Sequence, residues 1–506
     1  MNTMPVGLWS APGISVNWGI TIPIAIVVLT AMGAMMTDAF SKRKEYTALV
    51  TIGGLVVALF ACLRLWGNGF HATFAPIDAP IAGQLIADNY ALFLCMLFVS
   101  VGLATAWISH TWLAQRNLMH GEYYVLMLFA ISGMMLMVQA TELITLFVGL
   151  ETFSISLYVL SAFARSKKRS EEAGLKYLLL GAFSSAFLLY GIAFIYGAMG
   201  TTNLNVIADT LAQPGALAAV GPYMLPAGIG LMLVGLGFKV AAVPFHLWTP
   251  DVYEGAPTPV TAFMSVATKA AAFGAMGRIL LFAFPTASQS WQPLVASMAL
   301  ATMIVGNFVA VCQNNVKRML AYSSIAHAGY VLIGIVAGDL PGILFYLLCY
   351  AVMNFGAFSV VAAMSRQGRD YDTFEDYNGL HHRNPGLALA MSVFMFSLAG
   401  IPPAVGFYGK FYLFAHAVER GYTGLVVVGV LTSVVSAWYY LRVVVAMWMR
   451  EGEPGSRKLH VAPGIAIVVA ACALFTVFAF LAPSRMIDAA NDAGKTAVTS
   501  MTAASR

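Results

Sequence analysis

Three lysines stand in stretches otherwise fit for the interior of a bilayer. Lys239 lies in GLGFKVAAVPFHLWTP, Lys269 in the apolar run that begins near residue 257, and Lys410 in SLAGIPPAVGFYGKFYLF. A cation at the bilayer centre costs about 2.5–3.5 kcal/mol on insertion scales, so three of them imply a use. Burial disfavours the charged form of an amine, and a neighbouring carboxylate restores it. A buried lysine with a movable acidic partner therefore holds a proton while paired and releases it when isolated. Several such groups linked by water make a proton relay. Sodium fits less well: a protonated lysine cannot ligate a metal cation, and the apolar runs hold too few carboxylates for an oxygen cage.

Acidic partners are few. Glu151 sits near the middle of LFVGLETFSISLYVL, and Glu142 opens the same segment. On a helix the two are about 13 Å apart along the axis and on opposite faces, so they are not a paired-carboxylate site. Glu151 is the candidate partner of a lysine. Glu142 is a secondary candidate that serves equally well as an interfacial residue. His327, in AYSSIAHAGY, and secondarily His246, in PFHLW, are either relay groups or polar side chains satisfied by a neighbouring helix. An ordinary imidazole pKa near 6.5 suits relay. His71, His110, His120, His381, His382 and His460 fall in or near loops, and His416 stays unassigned. Five cysteines occur one to a segment with no CxxC pair, and read as small buried hydrophobes with no metal or iron–sulfur site. No GxGxxG follows a strand and no phosphate-binding GxxxxGK[ST] run occurs.

These residues need a scaffold, and the composition supplies one kind. Of 506 residues, 60% are hydrophobic and only 10% are charged. Soluble domains carry about 25% charged residues. The chain therefore reads as an all-α polytopic membrane protein, which excludes secreted, disordered, coiled-coil and nucleic-acid-binding classes. About fourteen apolar runs are long enough to span, at 16–37, 47–66, 90–110, 122–140, 143–164, 175–198, 223–245, 257–284, 293–312, 319–337, 341–365, 386–418, 422–447 and 461–482. The first has no basic flank or small-residue cleavage site and reads as a retained helix.

Basic residues test that count. Loops after odd-numbered helices hold Lys42, Arg43, Lys44, Arg116, Arg165, Lys167, Lys168, Arg169, Lys176, Lys317, Arg318, Arg366, Arg369, Arg383, Arg450, Arg457 and Lys458. Loops after even-numbered helices hold only Arg420, and the tail holds Arg485, Lys495 and Arg506. The asymmetry places both termini outside, in the periplasm of a bacterium. Arg64, Arg278 and Arg442 lie near helix ends and read as snorkelling cations.

Pro244 follows Lys239, and Pro402 and Pro403 precede Lys410, so helices seven and twelve are expected to be broken beside their lysines. The two breaks are five spans apart, an odd number, and run in opposite directions. Helices four to eight (122–284) and nine to thirteen (293–447) then form an inverted five-helix repeat. It is flanked by helices one to three (16–110) and helix fourteen (461–482). The polar tail at 483–506 reads as disordered.

The run GLGFKVAAVPFHLWTPDVYEGAPTPVTAFMSVATK, from Gly235 to Lys269, resembles the signature of the antiporter-like membrane subunits of respiratory complex I. NNVKRMLAYSSIAHAGY, SLAGIPPAVGFYGKFYLF and LFVGLETFSISLYVL are similar to the same family, and WTPDVYEGAP is most similar to its N-type members. The likeness runs from helix one to helix fourteen. A helix-twelve lysine is similar to the N and L types, whereas the M type has glutamate there. The lack of a long lateral helix after helix fourteen argues against the L type.

The resemblance implies an energy-coupling subunit of a proton-pumping NADH:quinone oxidoreductase in the bacterial inner membrane. Glu151 would pair with Lys239, and Lys269, His327 and Lys410 would continue the relay. It implies no cofactor in this chain: NADH, FMN, iron–sulfur clusters and quinone belong to the assembly. Partners would be neighbouring antiporter-like and small membrane subunits and the lipid bilayer, with no nucleic acid. The alternative is a subunit of a cation/proton antiporter of the same fold. A purely structural anchor leaves the three lysines unexplained.

Overall fold

A computed structural model of the chain describes residues 14–68, 72–76, 83–215, 223–365, 370–452 and 458–502, with side chains to residue 497. The Met1 end, His71, Arg366, Arg369, Arg457 and Arg506 lie outside the described residues. The apolar runs fold as helices because a bilayer offers no partner for an unpaired backbone amide. Their starts are set by short polar side chains. Asn17, Asp88, Asn203, Asn315, Asp339 and Asn384 each accept a hydrogen bond from a first-turn amide.

Among the described residues, twelve helices are long and apolar enough to cross a membrane. They are span one (Trp18–Phe40), two (Glu45–Leu65), three (Asn89–Ala114), four (Glu122–Gln139), five (Leu143–Ser161), six (Lys168–Met199), eight (Thr258–Ala283), nine (Ser288–Val311), ten (Val316–Ala337), eleven (Leu340–Met364), thirteen (Thr423–Met449) and fourteen (Pro463–Leu481). Two shorter apolar helices, Met224–Val240 and Pro385–Ala399, are the first halves of spans seven and twelve. Each resumes beyond a break, as Trp248–Gly255 and as Val405–Glu419. The two runs too short to cross alone are thus the two that the prolines predict to be broken.

Loop contacts respect the alternation of fourteen spans. On one face Asp370, from the loop after span eleven, pairs with Arg116 after span three and Lys167 after span five. Burial pushes the Asp370 carboxyl up, but Lys317, Lys167 and Arg116 outweigh it and hold the group below the ordinary carboxylate range. A lowered carboxyl stabilises the fold above its unfolded pKa and loses that effect as pH falls through the folded one. Acidification below about pH 4 is therefore expected to loosen this face first, read as earlier hydrogen exchange in the loops that carry Arg116 and Lys167. On the opposite face the loops after spans four and six meet, where the Leu143 amide donates to the Thr202 carbonyl.

Spans eight, ten and eleven form the interior. Their apolar windows are 89%, 94% and 89% buried, against 28% for spans two and fourteen, which present large apolar side chains outward. Close backbone approach uses glycine. A Cβ on Gly133 of span four would lie 2.7 Å from the Gly149 carbonyl oxygen of span five, and one on Gly306 of span nine 2.6 Å from the Ala326 amide of span ten. Small residues at equivalent crossings let paired helices pack without a hydrophobic driving force.

Three expectations are corrected. Arg278 does not snorkel: it is fully buried and holds Asp88 through two hydrogen bonds of 2.9 and 3.1 Å. Its position near a helix end misleads because span eight there widens into a π-helical turn, Arg278–Ala283, that packs on the short helix Leu204–Ala212, while the guanidinium reaches Asp88 and Tyr90 at the start of span three. The tail is not disordered: Ser484–Thr502 is a helix that buries Ala490, Ala493 and Ala497 and packs on spans three and eleven. Small residues every three to four positions give that polar segment one face able to dock. Finally, Cys62, Cys95 and Cys349 are buried and Cys472 is half-buried, but Cys312 is exposed near the end of span nine.

Candidate functional site

The break in span twelve explains how Lys410 is held. The first half ends at Gly400, whose φ of +84° is a left-handed cap. Pro402 and Pro403 then prevent the helix from continuing. Last-turn carbonyls lose their intrahelical partners and carry the negative end of the helix dipole. Lys410, buried in the second half, donates to two of them, Leu398 O at 2.9 Å and Ala399 O at 3.0 Å, and to Ser433 Oγ at 2.7 Å. The Tyr330 ring faces the amine at 5.2 Å.

Lys239 occupies the last turn before the other break. There Ala241 takes φ +62°, and the Trp248 indole donates to the Phe238 carbonyl at 2.9 Å. The Lys239 amine donates to Ser154 Oγ at 2.7 Å and to Tyr158 Oη at 3.4 Å. Rings of Phe153, Tyr158, Tyr177 and Phe238 surround it at 5.4–5.7 Å. Aromatic faces attract a desolvated cation. Glu151 lies one helical turn before Ser154, half-buried, with its Oε1 bonded to nothing. No ion pair joins Glu151 to Lys239, although the two are within Coulombic reach. The direct pairing implied by resemblance is replaced by the Ser154 contact.

Lys269, buried in span eight, donates to the Ser324 carbonyl at 2.5 Å. One turn on in span ten, the His327 ring is held at both nitrogens, with Nδ1 2.7 Å from Tyr346 Oη and Nε2 3.1 Å from Tyr440 Oη. Tyr440 Oη is also hydrogen-bonded to Ser323 Oγ. His327 lies within Coulombic reach of both Lys269 and Lys410. Lys269, His327 and Lys410 are thus brought together, with Lys239 and Glu151 as a separate cluster in the other half.

The secondary candidates sit apart. Glu142 precedes span five and accepts from Thr145 Oγ1 at 2.7 Å and Thr202 Oγ1 at 2.8 Å, ties that join two loops. His246 lies in the turn that breaks span seven, with Nδ1 buried and bonded to nothing.

Sequence reasoning missed the hydroxyl groups and the charged end of span seven. Glu151, Ser154 and Tyr158 recur at i, i+3 and i+7, Ser323, His327 and Tyr330 at i, i+4 and i+7, and each set shares one helix face. That spacing was the available signal. At the far end of span seven, Asp251 binds Lys176 and Arg318 at 2.7 Å, and Glu254 binds Arg318 at 3.0 Å and Arg169 at 3.5 Å. Lys317, counted among loop cations, is buried and caps the Glu254 and Ala256 carbonyls at 2.9 and 3.0 Å. No group of three or more potential metal ligands occurs among the described residues.

A sequence profile described as NADH:quinone oxidoreductase/Mrp antiporter, TM, matches residues 140–436, the stretch that carries Glu151, Lys239, Lys269, His327 and Lys410. The chain belongs to the NADH:quinone oxidoreductase/Mrp antiporter family. Within that family it is similar to NADH-quinone oxidoreductase subunit N of Trichlorobacter lovleyi, 46% identical over 95% of this chain and 98% of the relative. It is similar in structure to a chain of respiratory complex I from Thermus thermophilus with bound aureothin, at TM-score 0.79 and 34% identity over 92% of this chain and 98% of that one. A chain of the Mrp complex from Dietzia sp. shares the fold, at TM-score 0.83 and 21% identity. The expected likeness to the antiporter-like subunits is met, and the chain is a multi-pass membrane protein of a respiratory-complex family.

Proposed function

We propose that this chain is a proton-translocating membrane subunit of NADH:quinone oxidoreductase. It couples quinone reduction elsewhere in the assembly to proton movement through Glu151, Lys239, Lys269, His327 and Lys410. One observation carries the reading: every relay cation is buried on neutral oxygen acceptors, with no carboxylate in contact. Such a site tolerates loss of the proton because no buried countercharge is left behind. Tyr253 Oη, Ser324 Oγ, Tyr350 Oη and Asn354 Oδ1 are buried polar atoms with no protein hydrogen bond. Buried polar groups of this kind are ordinarily satisfied by water, which is what a relay needs between lysines.

Glu151 modulates Lys239 through space, so a shift of that carboxylate changes the proton affinity of the amine. Each charge moved works against about 2.3 kcal/mol per 100 mV. The chain supplies no redox chemistry. NADH, FMN, iron–sulfur clusters and quinone belong to partner subunits, and neighbouring antiporter-like and small membrane subunits flank it. The basic loops after odd-numbered spans face the cytoplasm of a bacterium, with both termini periplasmic. Residues 122–284 and 293–447 are the two inverted repeats. A cation/proton antiporter is the competing reading. The far lower identity to the Mrp chain favours the first.

The test is a proteoliposome assay of the intact oxidoreductase. Lys410→Ala is expected to lower protons pumped per quinone reduced, with artificial-acceptor NADH oxidation unchanged. Unchanged pumping removes the relay from the mechanism. Sodium-sensitive growth on deletion, with normal quinone-linked NADH oxidation, supports the antiporter instead.

A gentler probe uses the cap. At Gly400 a Cβ would meet Lys410 Cδ at 3.0 Å and Nζ at 3.2 Å, and the left-handed backbone costs an alanine about 1–2 kcal/mol. Gly400→Ala is expected to reduce pumping several-fold. Gly424→Ala, at a site with open space around it, should leave pumping unchanged.

A further inference from the structure

His416 has no role in the relay above, yet its position is specific. It lies six residues beyond Lys410 in the second half of span twelve, about 9 Å along the axis. Its Nδ1 lies 3.0 Å from the Tyr412 carbonyl, one turn back on the same helix, and 3.4 Å from Asp339 Oδ2. Asp339 stands in the turn between spans ten and eleven, only 6% exposed, and its Oδ2 makes no hydrogen bond. The other carboxylate oxygen accepts the Gly342 amide at 3.0 Å as the cap of span eleven. Arg420 holds the Ala337 carbonyl at 2.8 Å beside the pair. A buried carboxylate is thus presented to a half-exposed imidazole at the end of the helix that carries Lys410.

We propose that Asp339 and His416 form a proton-exchange pair between the Lys410 site and the aqueous phase on the face of the even-numbered loops. This rests on the relay reading above. The imidazole reaches water, its side chain being 36% exposed, while the carboxylate is buried. With its hydrogen on Nε2, the imidazole accepts a proton from the Asp339 carboxyl at Nδ1 and releases the Nε2 hydrogen to water, and the new Nδ1–H is held by the Tyr412 carbonyl. No bond other than N–H and O–H changes.

The surroundings fit a tuned group. Burial first, then Glu419, hold the Asp339 carboxyl above the ordinary carboxylate range, against the Gly342 amide, His416 and Arg420. From the C-terminal helix, Asn491 receives the Tyr412 hydroxyl at 3.2 Å, and Asp488 lies within Coulombic reach of that tyrosine. Tyr412 in turn stacks edge-on against His416, with ring centroids 4.4 Å apart. The charged and titratable neighbours are therefore Glu419 and Arg420 from span twelve, Tyr412 from the same span, and Asp488 from the C-terminal helix.

Asp339→Asn separates capping from proton exchange, because asparagine caps a helix as well as aspartate. His416→Gln keeps a polar side chain without a titrating ring. Both variants are compared with Lys410→Ala in the intact oxidoreductase in proteoliposomes, across pH 5–9. The expected result is at least a fivefold loss of pumping for Asp339→Asn and His416→Gln, with a flattened pH profile and unchanged artificial-acceptor NADH oxidation. If both variants keep the wild-type rate and pH profile while Lys410→Ala stops pumping, the pair is only a structural cap and the inference fails. If Lys410→Ala itself has no effect, the relay reading fails first. If Asp339→Asn merely lowers the yield of assembled complex, His416→Gln decides by the same two readouts.

Discussion

Lys239→Ala is expected to reduce quinone-linked proton pumping by about tenfold or more, while NADH oxidation with an artificial acceptor stays near the wild-type rate. The amine is enclosed by four aromatic rings and donates to Ser154 Oγ, so its removal takes the cation out of that pocket. No ion pair is broken, because Glu151 acts on the amine through space without touching it. The loss should therefore fall on transport and not on folding. Two assays on one preparation check this: a pH-sensitive dye inside proteoliposomes and ferricyanide reduction by NADH. Ser154→Ala, which removes the 2.7 Å acceptor and leaves the lysine, should give a smaller loss in the same direction.

Breaking the Asp88–Arg278 pair should act on stability. Both side chains are essentially inaccessible, and the guanidinium also lies 5.2 Å from the Tyr90 ring, whose hydroxyl holds the Gly274 carbonyl at 2.8 Å. Removing one member takes the ion-pair partner from a buried charge, a change that costs about 3–5 kcal/mol. Arg278→Ala is expected to lower the yield of folded protein and the thermal inactivation temperature of the solubilised complex. The double variant Asp88→Leu with Arg278→Met should recover much of the loss, since a well-packed apolar pair is often as stable as a buried ionic one. Recovery will be partial, because Asp88 also caps span three by accepting the Ala91 amide. Equal stability of Arg278→Ala and the wild type would refute this account.

What the sequence made legible was whatever a bilayer penalises. Charges and prolines inside apolar runs stand out, so Lys239, Lys269, Lys410 and both helix breaks are found by type and spacing alone. The oxygen acceptors are not found that way, because serine and tyrosine enter membrane helices at little cost and look like filler. Ser154, Ser433, Tyr346 and Tyr440 acquire meaning only when another helix brings a lysine or histidine to them. The burial of Arg278 is hidden in the sequence because distance from a helix end says nothing of what covers that end. The C-terminal helix is hidden because its composition is polar, while docking depends on one narrow face of alanines. Asp251 and Glu254 sit in a motif noticed for its family likeness, yet their partners Arg169, Lys176 and Arg318 come from two other spans.

The three acceptors around Lys410 have a further consequence. An ammonium has three hydrogens, one for each of Leu398 O, Ala399 O and Ser433 Oγ, and the Ser433 hydroxyl turns its own hydrogen to the Ala399 oxygen at 3.2 Å. A neutral amine has two hydrogens and a lone pair. Rotation of that single hydroxyl then points a hydrogen at the nitrogen, and the valences balance again with the backbone in place. Ser433 is in effect a swivel that lets one cradle serve both forms of the amine, so switching between them needs no rearrangement larger than the turn of one O–H bond.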